Sequence, residues 1–139
     1  MVGATAAVDF IAGLAPSDGS GRDRLVAAHQ VIEEHELRLR RRIDEGLAIF
    51  HNRLTVHLVA ADRTSTLFLT FRDHDATDAY RFLAARDILA PAGAFYAYEP
   101  FRALNLEVDA GLRVGLAPYN DDSEIDRLLS AFEEFMHSH

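Results

Sequence analysis

The stretch Leu112–Phe132, LRVGLAPYNDDSEIDRLLSAF, changes its period at its middle, and that change decides the fold. Leu112, Val114 and Leu116 alternate with Arg113, Gly115 and Ala117, the two-residue period of a strand with one apolar face. After Pro118-Tyr119-Asn120 the spacing turns helical, and Ile125, Leu128, Leu129, Phe132, Phe135 and Met136 make one apolar stripe. Asp121 and Glu124 have the spacing of a capping box, which marks the helix start. A one-sided strand followed at once by a one-sided helix predicts a sheet covered by helices.

Upstream, Leu54–Val59 alternates with Leu54, Val56 and Leu58 on one face. Thr64–Phe71 repeats this with Leu67, Leu69 and Phe71, and the short link Ala60–Arg63 predicts an antiparallel hairpin. Asp75 predicts the cap of a helix that runs to about Arg86, with Phe82 and Leu83 inward. A short strand is expected at Ile88–Pro91. Phe95–Leu106 is aromatic-rich and irregular, with a helical turn expected after Pro100. Towards the start, residues 2–15 predict a short apolar helix and residues 16–21, PSDGSG, a linker. Leu25, Ile32, Leu39, Ile43 and Leu47 predict one long helix from about Asp23 to Phe50, roughly 40 Å in length. The order α-α-β-β-α-β-(α)-β-α predicts an α+β fold: a small, mostly antiparallel sheet covered by helices, with one long N-terminal helix. The expected division is residues 1–21, apolar helix and linker, and residues 22–139, a small C-terminal domain.

The 139 residues carry a formal net charge of −8, which repels phosphate backbones and argues against a nucleic-acid partner. The one basic run, Arg38 and Arg40–Arg42, alternates with acids at helical spacing (Glu34 with Arg38, Glu36 with Arg40, Arg41 with Glu45). It reads as a self-neutralised, solvated helix face. Cysteine is absent, which removes disulfides, thiolate metal sites and a cysteine nucleophile. Lysine is absent too: all 14 basic residues are arginine, so no side-chain Schiff base can form. The N-terminus lacks a leading positive charge, and Asp9 interrupts its apolar run. It reads as a helix and not as a signal peptide or membrane span, and a cytoplasmic location is the expectation.

Seven histidines are the first candidates for chemistry. His29 and His35 lie six apart, which separates them on a helix. His137 and His139 sit at a terminus, and no spacing matches a metal-ligand set, so no metal site is expected. His57 is expected to face solvent, and His74 lies in a capping segment. No nucleophile motif, P-loop or dinucleotide fingerprint is present, so no catalytic residue is assigned. Gly19-Ser20-Gly21 could cradle an anion at a helix start, but its composition favours a linker. Arg113 is the most informative residue. It stands on a strand with only Gly115 and Ala117 beside it, and a guanidinium grips a carboxylate through two parallel bonds. The alternatives are a structural carboxylate partner or water. Phe95, Tyr96 and Tyr98 follow Gly93; they either wall a pocket or plug the end of the sheet, and the pattern favours the plug.

Leu112–Phe132 also resembles the C-terminal motif of class V aminotransferases, a superfamily that includes cysteine desulfurases. Arg113, Gly115, Tyr119 and Asn120 fit that motif, and Asp121 replaces its threonine while keeping the cap. Ala61–Phe71 resembles the family's Arg-Thr-Pro-Thr strand start, with Ser65 in place of proline. Ala84–Leu106 resembles its Arg-Gly-Ile and Gly-x-Phe-Tyr-Ala segment, with Asp87 in place of glycine. VGATAAVDFIAGL and the His35-Glu36 pair resemble the helix that leaves the family's large domain and the long helix after it. The resemblance implies the small C-terminal domain of a fold-type I enzyme. Pyridoxal phosphate is bound by a large domain, the parent acts on an amino-acid-like small molecule, and a homodimer is expected. It implies that Arg113 holds the substrate α-carboxylate, with Phe95, Tyr96, Tyr119 and Asn120 as candidate pocket wall. Tyr119 and Asn120 are further expected to position the turn. Without cysteine or lysine, the chain is expected to be inactive alone, a piece of a longer enzyme or the product of a split gene. The alternative is a free-standing, dimerising module that binds a small acid or a protein, with helix 2–15 as the dimer contact.

Overall fold

The computed structural model describes residues 2–57, 60, 63–96, 98–103, 105, 106, 108 and 110–138. Helix α1 (Val2–Ala12) precedes the long α2 (Gly21–Leu47), which tightens into a 3-10 turn at Ala48–Phe50. Then come β1 (Leu54–Val56), β2 (Thr66–Phe71), α3 (Ala76–Ala84), β3 (Ala92–Gly93), α4 (Tyr98–Ala103), β4 (Gly111–Gly115) and α5 (Asp122–His137). The strands make a four-stranded antiparallel sheet in the order β1-β2-β4-β3. The fold is α+β, as the sequence pattern predicts.

Register turns the two-residue period into a core. Leu54 pairs with Phe71, Val56 with Leu69, Leu69 with Leu112 and Leu67 with Val114. These side chains share one sheet face, and all but the half-buried Val56, which packs against them, join Leu39, Ile43 and Leu47 of α2, Leu83 of α3, and Ile125, Phe132, Phe135 and Met136 of α5 in one buried cluster. Burying a Leu, Ile or Phe side chain stabilises the fold by about 1.5–3 kcal/mol each. The helix starts follow the capping chemistry of the sequence. Asp75 accepts from the Thr77 N–H at 2.6 Å, and Asp121 and Glu124 form the expected capping box. Ser20 and Asp23 make a second box at the start of α2. Helix α1 lies against α2, and Ala12, Ala15 and Ala28 are buried outside the main cluster.

Several expectations are corrected. Arg38 and Arg42 leave their own helix: both reach Asp122 of α5, at 2.7 and 2.9 Å, and Arg42 also reaches Asp126. Arg40 is buried and donates to the carbonyls of Arg63 and Thr64, both at 2.8 Å. The packing of α2 against α5 and the β1–β2 connection offers them these partners across the fold. The strand expected at Ile88–Pro91 lies instead at Ala92–Gly93, because residues 85–88 are used to end α3. There Ile88 N–H donates to Leu83 O and Asp87 N–H to Ala84 O, a Schellman stop with Asp87 at φ 58°. Helix α4 starts two residues before Pro100, not after it; a proline in the first turn sacrifices no helical bond. His57 does not face open solvent; its Nε2 lies 2.8 Å from Thr70 Oγ1, and its ring tilts against Phe68 at 5.4 Å. Leu58 and Val59 of the expected first strand, residues 61 and 62 of its hairpin link, Ala97 and His139 lie outside the described residues.

Asp87 occupies a left-handed position that glycine takes without strain. Asp87→Gly is expected to raise stability by about 0.5–1 kcal/mol, the relief of strain being partly offset by glycine's entropy. Urea unfolding of the two proteins measures it.

Candidate functional site

The sheet face opposite the core is built by the other half of the strand period. Phe68 of β2 pairs directly with Arg113 of β4, and Thr66 with Gly115. A Cβ on Gly111 would lie 2.1 Å from Phe68 Cζ, so glycine there lets the Phe68 ring lie across β4. Phe68 also meets Phe101 of α4 edge-to-face at 5.2 Å. Beside it, the His57–Thr70 pair completes a partly buried strip of aromatic and polar groups.

Arg113 projects from this face between Gly111 and Gly115 and is exposed. Its guanidinium sits 4.3 Å above the centre of the Phe95 ring. Among the described residues no carboxylate pairs with it. Phe95 and Tyr96 both hold left-handed backbone, φ 51° and 58°, and Tyr96 is 97% exposed. The loop after β3 therefore displays one aromatic beneath the arginine and a second in solvent.

Tyr119 and Asn120 stand elsewhere. With Leu89, Leu116, Glu124 and Arg127 they line a cleft of about 310 Å³ beside the turn after β4, and neither Phe95 nor Tyr96 lines it. Asn120 is engaged in that turn. Its Oδ1 accepts from Ala117 N–H at 2.7 Å, its Nδ2 donates to Glu124 at 2.9 Å, and its carbonyl accepts from His35 Nε2 at 2.8 Å. Tyr119 is exposed. The structure thus joins Phe95 to Arg113 and keeps Tyr119 and Asn120 apart from both. Sequence reasoning missed His35 as a brace of the turn, since nothing local links it to a residue 85 positions away. It also missed Phe68 and Gly111, although both fall on the outward phase of their strands.

No group of three or more metal-ligating side chains is found among the described residues, and no described helix is long and apolar enough to cross a membrane. What the Arg113 face offers is a cation over an aromatic ring with no carboxylate partner among the described residues, suited to an anion with a planar, two-oxygen end.

The sequence profile of the aminotransferase class-V family matches residues 26–128. The chain belongs to the aminotransferase class-V family. No curated protein matches the sequence significantly. Among solved structures, the chain is similar to an apo cysteine desulfurase from Thermococcus onnurineus NA1, with TM-score 0.72 and 19% identity over 83% of this chain. It is also similar to the cysteine desulfurase CsdA of Escherichia coli (TM-score 0.62, 22% identity, 87% of this chain). A NifS-like protein from Rickettsia africae matches as well (TM-score 0.62, 14% identity, 84% of this chain). These likenesses establish the fold. The chain spans 28%, 31% and 32% of those three chains. Class V aminotransferases are pyridoxal-phosphate enzymes. The residues of this chain do not fit a covalent site for that cofactor: lysine is absent throughout, and the cation that the sheet face presents is an arginine.

Two outcomes are expected on this face. Gly111→Ala drives a methyl group into Phe68 and should cost about 1–3 kcal/mol in urea unfolding. Burial holds the His57 imidazole below its ordinary value of 6.5. The unfolded chain then binds that proton more readily than the folded one. Stability is full above about pH 6.5 and falls as pH drops through it, and His57→Gln should flatten this part of the stability–pH curve.

Proposed function

We propose that this chain is the substrate-clamping small domain of a pyridoxal-phosphate-dependent, cysteine desulfurase-like enzyme, and that it is inactive alone. One observation carries the reading. Arg113 stands out from β4 between two glycines, its guanidinium over the Phe95 ring, with no carboxylate partner among the described residues. A guanidinium so placed recognises the α-carboxylate of an amino-acid-like substrate by two parallel charge-assisted bonds. Residues 1–21 would link the chain to a large domain that holds the cofactor and its lysine, and residues 22–139 would close over the substrate. When bound, the cofactor would supply the electron sink for bond-breaking at the amino acid's α-carbon. The role of this chain is to bind, orient and cover. A cytoplasmic, homodimeric parent fits this reading, and Tyr119 and Asn120 serve it by shaping the turn after β4. In a desulfurase-like parent the absence of cysteine leaves this domain no sulfur-accepting thiol, so a sulfur acceptor must come from elsewhere.

The free-standing alternative draws support from α1, where Val8, Phe10 and Leu14 are 48%, 70% and 41% exposed. Light scattering of the 139-residue chain separates the two: a dimer broken by Phe10→Glu favours the module, and a monomer favours the clamp.

Arg113→Gln tests the clamp in the polypeptide as its cell makes it. The expected result is a KM for the amino-acid substrate raised about ten- to hundredfold, the range for a charge-assisted hydrogen bond, with the thermal midpoint unchanged. Loss of folding with substrate affinity intact would sink the ligand role.

A further inference from the structure

We infer that Phe95 is a positioning residue that holds the Arg113 fork by its face and so leaves the fork's edges open for a carboxylate. This rests on the reading of Arg113 given above and adds a second residue to it. A guanidinium is planar, and its five N–H donors lie in that plane. The Arg113 guanidinium carbon lies over the Phe95 ring, 4.3 Å from its centre, and a cation–π contact made through the guanidinium face restricts the group without using a donor. An acidic partner would restrict it equally but would occupy the edge that a ligand needs.

The loop is shaped for this contact. In the β3–β4 pairing Ala92 lies opposite Leu112 and Gly93 opposite Gly111, with the strands antiparallel. If the chain continued straight, residue 95 would lie four positions from Arg113 along β4, roughly 13 Å away at the strand rise. The ring instead lies against Arg113, because the chain bends back through two successive left-handed residues, Phe95 and Tyr96. Neither is glycine, and a bulky residue there is strained by sterics. Strain of this kind persists only where surrounding contacts hold it and is characteristic of functional loops. A simple plug at the end of the sheet would bury its aromatics, yet Tyr96 is 97% exposed. On one side of Arg113 the Phe68 ring fills the space over Gly111, while on the other Gly115 leaves the approach to the guanidinium open.

The test reads Arg113 directly by guanidinium NMR in the full 139-residue chain, with sodium succinate as the probe. Three proteins are compared: the parent sequence, Phe95→Leu, which keeps a similarly strained backbone but loses the ring, and Phe95→Tyr, which keeps the ring. In the parent sequence the Arg113 Nε–H signal should be ring-current shifted, motionally restricted, and saturable by succinate. Phe95→Leu should release the restriction and weaken succinate binding about two- to fivefold, the worth of an exposed cation–π contact. Phe95→Tyr should restore both. Backbone amide spectra of the three should stay superimposable away from the loop, which a purely structural role would not predict. Equal succinate affinity in the parent sequence and Phe95→Leu overturns the role of Phe95 and leaves the Arg113 clamp standing. Weakened binding in Phe95→Tyr as well overturns it too. Succinate shifts at Arg113 no larger than at the exposed Arg22 overturn the clamp itself, and the role of Phe95 with it.

Discussion

The pairing of β2 with β4 is the constraint on which the rest depends. Its register sets Leu67 against Val114 and Leu69 against Leu112 on the inner face, and so places Phe68 beside Arg113 on the outer one. A slip of one residue would exchange the faces, burying a guanidinium and exposing four apolar side chains. The apolar gain on one side therefore holds the cation in place on the other. The same pairing brings Gly111 under Phe68, where only a missing Cβ lets the ring lie flat. The exposed cation on one face and the core packing on the other are two consequences of one hydrogen-bond ladder.

A second tie joins the long helix to the sheet. Arg40 is buried, and its charge is met by two backbone carbonyls at the start of the hairpin's second arm, with Asp44 4.0 Å away. Asp44 in turn pairs with Arg63 at 3.2 Å. Removing one member of such a group would leave a desolvated charge, which costs far more than a surface ion pair returns. Arg38 and Arg42 reach the first turn of α5, where Asp122 carries its charge at the favourable end of the helix dipole. Their guanidinium groups hold the Asp122 carboxyl below its ordinary range. Helix α2 thus grips the hairpin and α5 with arginines from a run that local spacing alone would leave in solvent.

Much of the fold was legible because local patterns and tertiary needs agree. The period change at Pro118–Asn120, the Asp121–Glu124 box and the α5 stripe all survive in the folded chain. The misplaced third strand shows where legibility fails. Ile88–Pro91 has strand-like composition, but the Schellman stop at Asp87 consumes the preceding residues, and pairing to β4 begins only at Ala92. His57 misled for a related reason: alternation tells which side of a strand a residue is on, not whether α4 and neighbouring rings cover that side.

The family and the candidate arginine were written in the sequence, since a strand arginine between small residues, a Tyr-Asn turn and an acidic cap are local features. The missing lysine and cysteine bounded the chemistry without any coordinates. Only the tertiary structure decided what surrounds Arg113. Phe95 is 18 residues away, and its place under the guanidinium depends on two left-handed residues and on strand register. Tyr119 and Asn120, beside Arg113 in sequence, turn away into a separate cleft because Asn120 is bound into its own turn and braced by His35. Local periodicity determines which face a side chain takes, while the company it keeps there is determined by contacts between segments far apart in the chain.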